Sequence, residues 1–242
     1  MKAHHKENTI YTTILIIVLG IIAVFAVSAS KTLDSINTPR IGNWSLLPQV
    51  INVPLSKVGV REKDLAPCLD NPETQQIIAR DAEEAGPTGT PLFYIFSKDH
   101  TYRMVGAIPA AMLTQMIDTL QAGRPIATPA EAEGNFQEIS ADAPEMAYLN
   151  LRPTDARLNA TLTNPSVTII EYGDLSCPAC KYAHQELKKA LSKETTVQYI
   201  YRHHPLTSIH PDAQKQAEVA VCVQQLKGYK AFWDFVDYTY KQ

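Results

Sequence analysis

The sequence is poor in cysteine and carries no basic tract. Its 242 residues hold four cysteines, Cys68, Cys177, Cys180 and Cys222. So small an even number suits two disulfides or one metal site, and the compartment decides between them. Lysine and arginine never run longer than a pair, and the net charge is −3. That leaves little electrostatic support for nucleic-acid binding. Internal repeats are absent as well. What is present is a globular composition, 45% hydrophobic and 19% charged. The length fits one sizeable domain with an anchor and a linker, or two small domains.

The N-terminus bears on the compartment. Residues 8–30 carry no charge, and the stretch from Ile10 to Ala29 is strongly apolar. Twenty helical residues span about 30 Å, the hydrocarbon thickness of a bilayer. Lys2 and Lys6 precede the run, so the positive-inside rule keeps the N-terminus cytoplasmic and the rest outside. The rival reading is a cleaved signal peptide, because Val27-Ser28-Ala29 resembles a small-residue cleavage site. Both readings place the remainder in an oxidising, extracytoplasmic space.

Beyond the anchor (residues 1–30), residues 31–45 read as a polar tether and residues 46–123 as a structured segment. Residues 124–165, rich in Ala, Pro, Glu, Asp and Asn, read as a linker with little regular structure. Residues 166–242 form a second structured segment. In the first segment the pattern predicts helices over Glu62–Leu69 and Pro72–Ala85, strands over 92–97 and 102–106, and a helix opened by Pro109 and continuing through 110–121. In the second it predicts strands over 167–172 and 197–202. Helices are expected from the Cys177-Pro178-Ala179-Cys180 motif to about Lys193, over 211–226, and over Tyr229–Lys241. Neither segment is a self-sufficient fold.

The chemistry concentrates at Cys177 and Cys180. A dithiol switch needs two sulfurs close enough to bond, one of them a good thiolate at neutral pH. Two intervening residues at a helix start meet both needs, because the unpaired N–H groups and the dipole there favour negative charge. Pro178 fits the first turn, where its missing N–H costs nothing. A zinc or copper half-site is the competing reading. It would need two further ligands, commonly a second Cys-x-x-Cys or paired histidines, and Cys68 and Cys222 stand singly. His203, His204 and His210 share the segment, but adjacent His203 and His204 suit a strand end better than a chelate. No metal and no cofactor is assigned.

The stretches VTIIEYGDLSCPAC (167–180), YRHHPL (201–206), HPDAQKQAEVAVCV (210–223) and FWDF (232–235) together form a specific signature. It resembles the DsbA family of thiol–disulfide oxidoreductases, within the thioredoxin superfamily. The resemblance implies an α/β, thioredoxin-like fold with a helical insert. It implies a buried acid six residues before the first active cysteine, which is Glu171, assisting proton transfer at Cys180. The alternative for Glu171 is a strand residue facing solvent. In the first segment, residues 81–92 resemble the family's cis-proline loop and preceding helix, residues 92–106 its hairpin, and residues 107–123 its closing helix.

These halves stand in reversed order. The expected arrangement is a circular permutation behind an N-terminal transmembrane helix, with residues 124–165 joining the original ends. A swapped dimer, or the tail of one domain followed by the head of another, would also fit. Thr90-Pro91 should then face the sulfur pair, with Pro91 cis and the Thr90 backbone free to pair with substrate. An ordinary trans proline starting an edge strand is the plain alternative. The resemblance further implies a structural disulfide between Cys68 and Cys222, against two buried free thiols. The activity implied is thiol–disulfide exchange at Cys177/Cys180, by default forming disulfides in exported proteins of the bacterial cell envelope. A membrane redox partner would reset it. A reductase or isomerase, an anchored binding module without turnover, and a metal-delivery protein are the rivals.

Overall fold

The computed structural model describes residues 51, 55–127 and 134–241. Every described residue lies within the compact unit that runs from Ser45 to Gln242. The apolar run at 10–29 and the whole of the tether at 31–45 lie outside the described residues. Among the described residues, no helix is long and apolar enough to cross a membrane.

The first segment begins with a 3-10 turn, Leu55–Val58, and the helices α1 (Glu62–Leu69) and α2 (Pro72–Ala85). Local chemistry fixes α2 at both ends. The Asn71 side chain accepts from the Glu73 N–H at 3.0 Å, and Pro72 opens the first turn. Gly86 stops the helix at φ 70, a conformation glycine adopts without steric cost. Strands β1 (Leu92–Phe96) and β2 (Thr101–Val105) form a hairpin, and α3 (Ala110–Gln121) follows. Pro109 is the N-cap of α3 and not its first helical residue. The helix has no side-chain cap of its own. Its first N–H, on Ala110, instead donates to the Glu186 carboxylate at 2.8 Å, from a helix of the other segment.

Residues 134–165, most of the expected linker, are more ordered than their composition suggests. They supply β3 (Phe136–Glu138), a 3-10 turn (Pro144–Leu149) and β4 (Ala156–Arg157). The second segment contributes β5 (Val167–Gly173), α4 (Pro178–Ala190) with a short 3-10 extension to Lys193, β6 (Val197–His203), α5 (Ala213–Lys227) and α6 (Tyr229–Lys241).

One six-stranded sheet unites the segments, in the order β3-β2-β1-β5-β6-β4. β1 pairs antiparallel with β5, setting Phe93 opposite Glu171. β5 and β6 run parallel, with α4 as their crossover, and Glu171 sits opposite Tyr201. The supposed linker thus provides both edge strands. Alternation along the strands sorts the two faces. Leu92, Tyr94, Ile170, Tyr172 and Ile200 pack with Ala85, Ile139 and Leu149 on one face. Glu171, Tyr199 and Tyr201 occupy the other, where α6 brings Trp233 to 4.9 Å from the Tyr199 ring.

Two devices bind distant parts of the chain. Cys68 on α1 and Cys222 on α5 form a disulfide across a sequence separation of 154, with Cα atoms 5.8 Å apart. Constraint of so long a loop in the unfolded chain is worth about 5 kcal/mol, as an upper figure. The second device is a buried ionic cluster. The Arg202 side chain, 1% exposed, donates to both Asp155 oxygens at 2.9 and 3.2 Å and to the Tyr172 hydroxyl at 2.9 Å. Arg152 reaches Asp81 at 2.8 Å, Glu84 at 3.1 Å and Asp155 at 3.2 Å. Together they fasten residues 144–157 to α2 and to the sheet.

Candidate functional site: a dithiol beside a cis-proline loop

Cys177 is the N-cap of α4 and Pro178 its first residue. β5 delivers the chain to this point, and its last residue, Gly173, is constrained by packing. A Cβ there would lie 2.6–2.8 Å from the Tyr201 ring, a spacing only glycine permits. Asp174 then shapes the loop. Its carboxylate accepts from the N–H of Ser176 at 2.7 Å and of Leu206 at 2.8 Å, and lies 2.8 Å from His210 Nδ1. These bonds hold residues 204–210 against the cysteine loop. The Cys177 N–H donates to the Asp174 carbonyl at 3.0 Å, and the Asp174 N–H donates to Cys180 Sγ at 3.4 Å.

Cys177 and Cys180 are free thiols, so this is the reduced state. Both are buried, Cys180 completely and Cys177 with 8% of its surface exposed. The two sulfurs differ in acidity. A hydrogen bond from the Cys180 thiol is the main influence holding Cys177 low, at about 5. Burial opposes it, while Thr90 and the N–H groups of Cys180 and Ala179 add to it. Burial pushes Cys180 well above the ordinary thiol value, and the nearby Glu171 and Cys177 add to that rise.

The peptide bond Thr90-Pro91 is cis. It stands directly before β1, and Cys177 Sγ lies 3.6 Å from the Thr90 carbonyl oxygen. Residues 87 apart in sequence meet because β1 pairs with β5. His204 braces the same loop, with Nε2 3.1 Å from the Thr88 carbonyl.

Glu171 is fully buried. Desolvation lifts its carboxyl to about 8, against a hydrogen bond from the Tyr199 hydroxyl to Oε2 that favours the charged form. Its other oxygen, Oε1, has no hydrogen-bond partner. The structure thus brings Cys177, Cys180, Glu171, Thr90 and Pro91 into one neighbourhood, while the Cys68–Cys222 bridge stands elsewhere on α1 and α5. His203 ends β6 in full burial, with desolvation depressing its imidazole to about 3, and its Nδ1 has no partner. Its backbone N–H is held by Asp81 at 2.9 Å. No cluster of three or more His, Cys, Asp or Glu side chains suited to a metal occurs among the described residues.

Sequence reasoning missed Tyr199 and Asp174. The signal for Asp174 was its place in the short loop between strand and motif. For Tyr199 it was strand alternation, which puts 199, 201 and 203 on one face.

A helix-start dithiol meeting a cis-proline loop beside a six-stranded mixed sheet fits a thioredoxin-like fold. A family model described as Thioredoxin matches residues 163–242. Curated relatives include the Na(+)/H(+) antiporter NhaA 1 of Salinispora arenicola (strain CNS-205) and the Na(+)/H(+) antiporter NhaA 3 of Salinispora tropica. Each is 41% identical over 71 residues, which is 29% of this chain and 10% of the relative. The chain thus spans about a tenth of the length of these relatives.

Proposed function

We propose that this chain is an extracytoplasmic protein thiol–disulfide oxidoreductase of DsbA-like type, with the halves of its fold in circularly permuted order. Its activity is the formation of disulfides in exported proteins, and Cys177/Cys180 carry it. A single juxtaposition supports this best: the Cys177 sulfur 3.6 Å from the Thr90 carbonyl of the cis Thr90-Pro91 loop. That loop offers backbone for strand-like pairing with a substrate peptide, beside the sulfur that would be attacked.

In the oxidising direction the enzyme begins as the Cys177–Cys180 disulfide. A substrate thiolate attacks Cys177 Sγ. The Cys177–Cys180 bond breaks, and Cys180 leaves with its electron pair and takes a proton from Glu171. A second substrate thiolate then attacks the substrate sulfur of the mixed disulfide. Cys177 departs as a thiolate, a good leaving group given its low pKa. Two electrons have passed from the substrate dithiol to the enzyme disulfide, which is now the dithiol. A membrane redox partner would accept them and restore the disulfide. The apolar stretch at 10–29 supports a single-helix anchor in the bacterial cell envelope, with signal cleavage and secretion as its alternative.

The test is turnover by the full chain on a reduced, unfolded thiol protein, together with insulin reduction. Cys177→Ser should abolish both, and Cys180→Ser should accumulate a substrate mixed disulfide at Cys177. Equal turnover by Cys177→Ser and the unaltered chain would sink the proposal and favour a binding role.

A further inference from the structure

Glu171 has a partner that the exchange mechanism alone does not require. Its Oε2 accepts a hydrogen bond from the Tyr199 hydroxyl, its Oε1 is unpartnered, and both side chains are fully buried or nearly so. The titratable groups that face the carboxyl are Cys177 at the N-cap of α4, Cys180 within α4, Tyr199 and Tyr201 from β6, and Tyr240 from α6. None of these is a cation. On the neighbouring strand, the residue paired with Glu171 is the apolar Phe93. Tyr199 is therefore the hydrogen-bond donor that supports the ionised carboxylate. The Tyr199 ring is itself held against Trp233 of α6 at 4.9 Å, so the donor is fixed by packing.

We infer that Tyr199 is the positioning residue for proton exchange at this site: its hydroxyl holds Oε2 of Glu171 and leaves Oε1 as the oxygen that trades a proton with Cys180. The inference rests on the exchange reading given above. In the reductive half-reaction Oε1 takes the proton from the Cys180 thiol. The resulting thiolate attacks Cys177 Sγ in the mixed disulfide, the Cys177–substrate bond breaks, and the substrate sulfur leaves with the electron pair. In the oxidative direction the proton returns from Oε1 to Cys180 as that sulfur leaves. Without the phenol, the carboxylate would face low-polarity surroundings with no donor, and would hold its proton to higher pH.

The experiment follows the Glu171 carboxyl in the full reduced chain by its infrared carbonyl band, assigned through its loss in Glu171→Gln. Tyr199→Phe keeps the ring against Trp233 and removes only the hydroxyl. The expected midpoint rises by about one to two pH units, the size of a charge-assisted hydrogen bond. Resolution of a Cys177 mixed disulfide at pH 7 should slow about tenfold or more, with the rate recovering as pH rises. The alkylation midpoint of Cys177 should stay where it is. An unmoved carboxyl midpoint in Tyr199→Phe overturns the inference. Should that variant fold poorly, fluorotyrosine at position 199, a more acidic phenol of nearly the same shape, must lower the midpoint, and no change again overturns it. If Cys177→Ser turns over normally, the proposed function falls, while the carboxyl titration still judges the Tyr199 contact.

Discussion

A thiol at a helix N-terminus that titrates near 5 makes a prediction about both reactivity and stability. The perturbation is pH, applied to the reduced protein. Each unit below the ordinary value of 9.0 raises the thiolate fraction about tenfold for as long as the midpoint stays above the pH of the solution, after which the fraction saturates. At pH 7 Cys177 should therefore be almost wholly thiolate, about a hundredfold more so than an ordinary thiol. Alkylation of the reduced chain should rise with a midpoint near 5 and then level off, with one label incorporated at Cys177. Cys180, held protonated by burial, should stay silent across that range. Stability follows by linkage. Between about pH 5 and 9 the unfolded thiol binds a proton that the folded one does not, so this thiol's contribution to the stability of the reduced form rises with pH, while the raised Glu171 carboxyl contributes in the opposite sense up to about pH 8. The slope is at most about 1.4 kcal/mol per pH unit for one proton. The contribution is complete above the unfolded value and is lost as pH falls through about 5. The oxidised protein has no such thiol, so the reduced-minus-oxidised gap in urea denaturation should grow between pH 5 and pH 8. An alkylation midpoint near 9, or a gap of equal size at both pH values, would refute the reasoning.

Two further outcomes concern the scaffold. Arg202→Met should destabilise the protein by about 3–5 kcal/mol in urea denaturation, because Asp155 would be left buried with half its partners gone. Gly173→Ala should cost about 1–3 kcal/mol by driving a methyl into the Tyr201 ring, and the near-ultraviolet circular dichroism of the buried tyrosines should change with it.

The helices were legible where local chemistry sets their ends. Asn71, Pro72 and Gly86 bracket α2 with a cap, a rigid first turn and a positive-φ stop, and its range matches the expected one, as do those of α1 and α6. Strand ends moved by a residue: β2 starts at Thr101, and β5 and β6 run one residue further, to Gly173 and His203. The edge strands in 124–165 were not legible. Three- and two-residue strands carry no period of their own. β3 exists because β2 lies beside it and Phe136 stacks on Tyr102 at 5.2 Å, and β4 because Asp155 is locked to Arg202. The dithiol was legible because its spacing and helix-start position are local. Tyr199 was not, since its role depends on a carboxylate 28 residues away across a parallel pair, and nothing in the run VQYIYR separates Tyr199 from Tyr201.

The bridge from Cys68 to Cys222 encloses most of the described chain, the dithiol and the cis-proline loop included. A single protease nick anywhere inside that span would leave a two-piece molecule whose parts are still tied by sulfur. The pieces would stay together in an oxidising space and lose their covalent tie wherever a reductant reaches the bridge. The durability of a cut molecule is therefore governed by the same redox poise on which its active sulfurs would act.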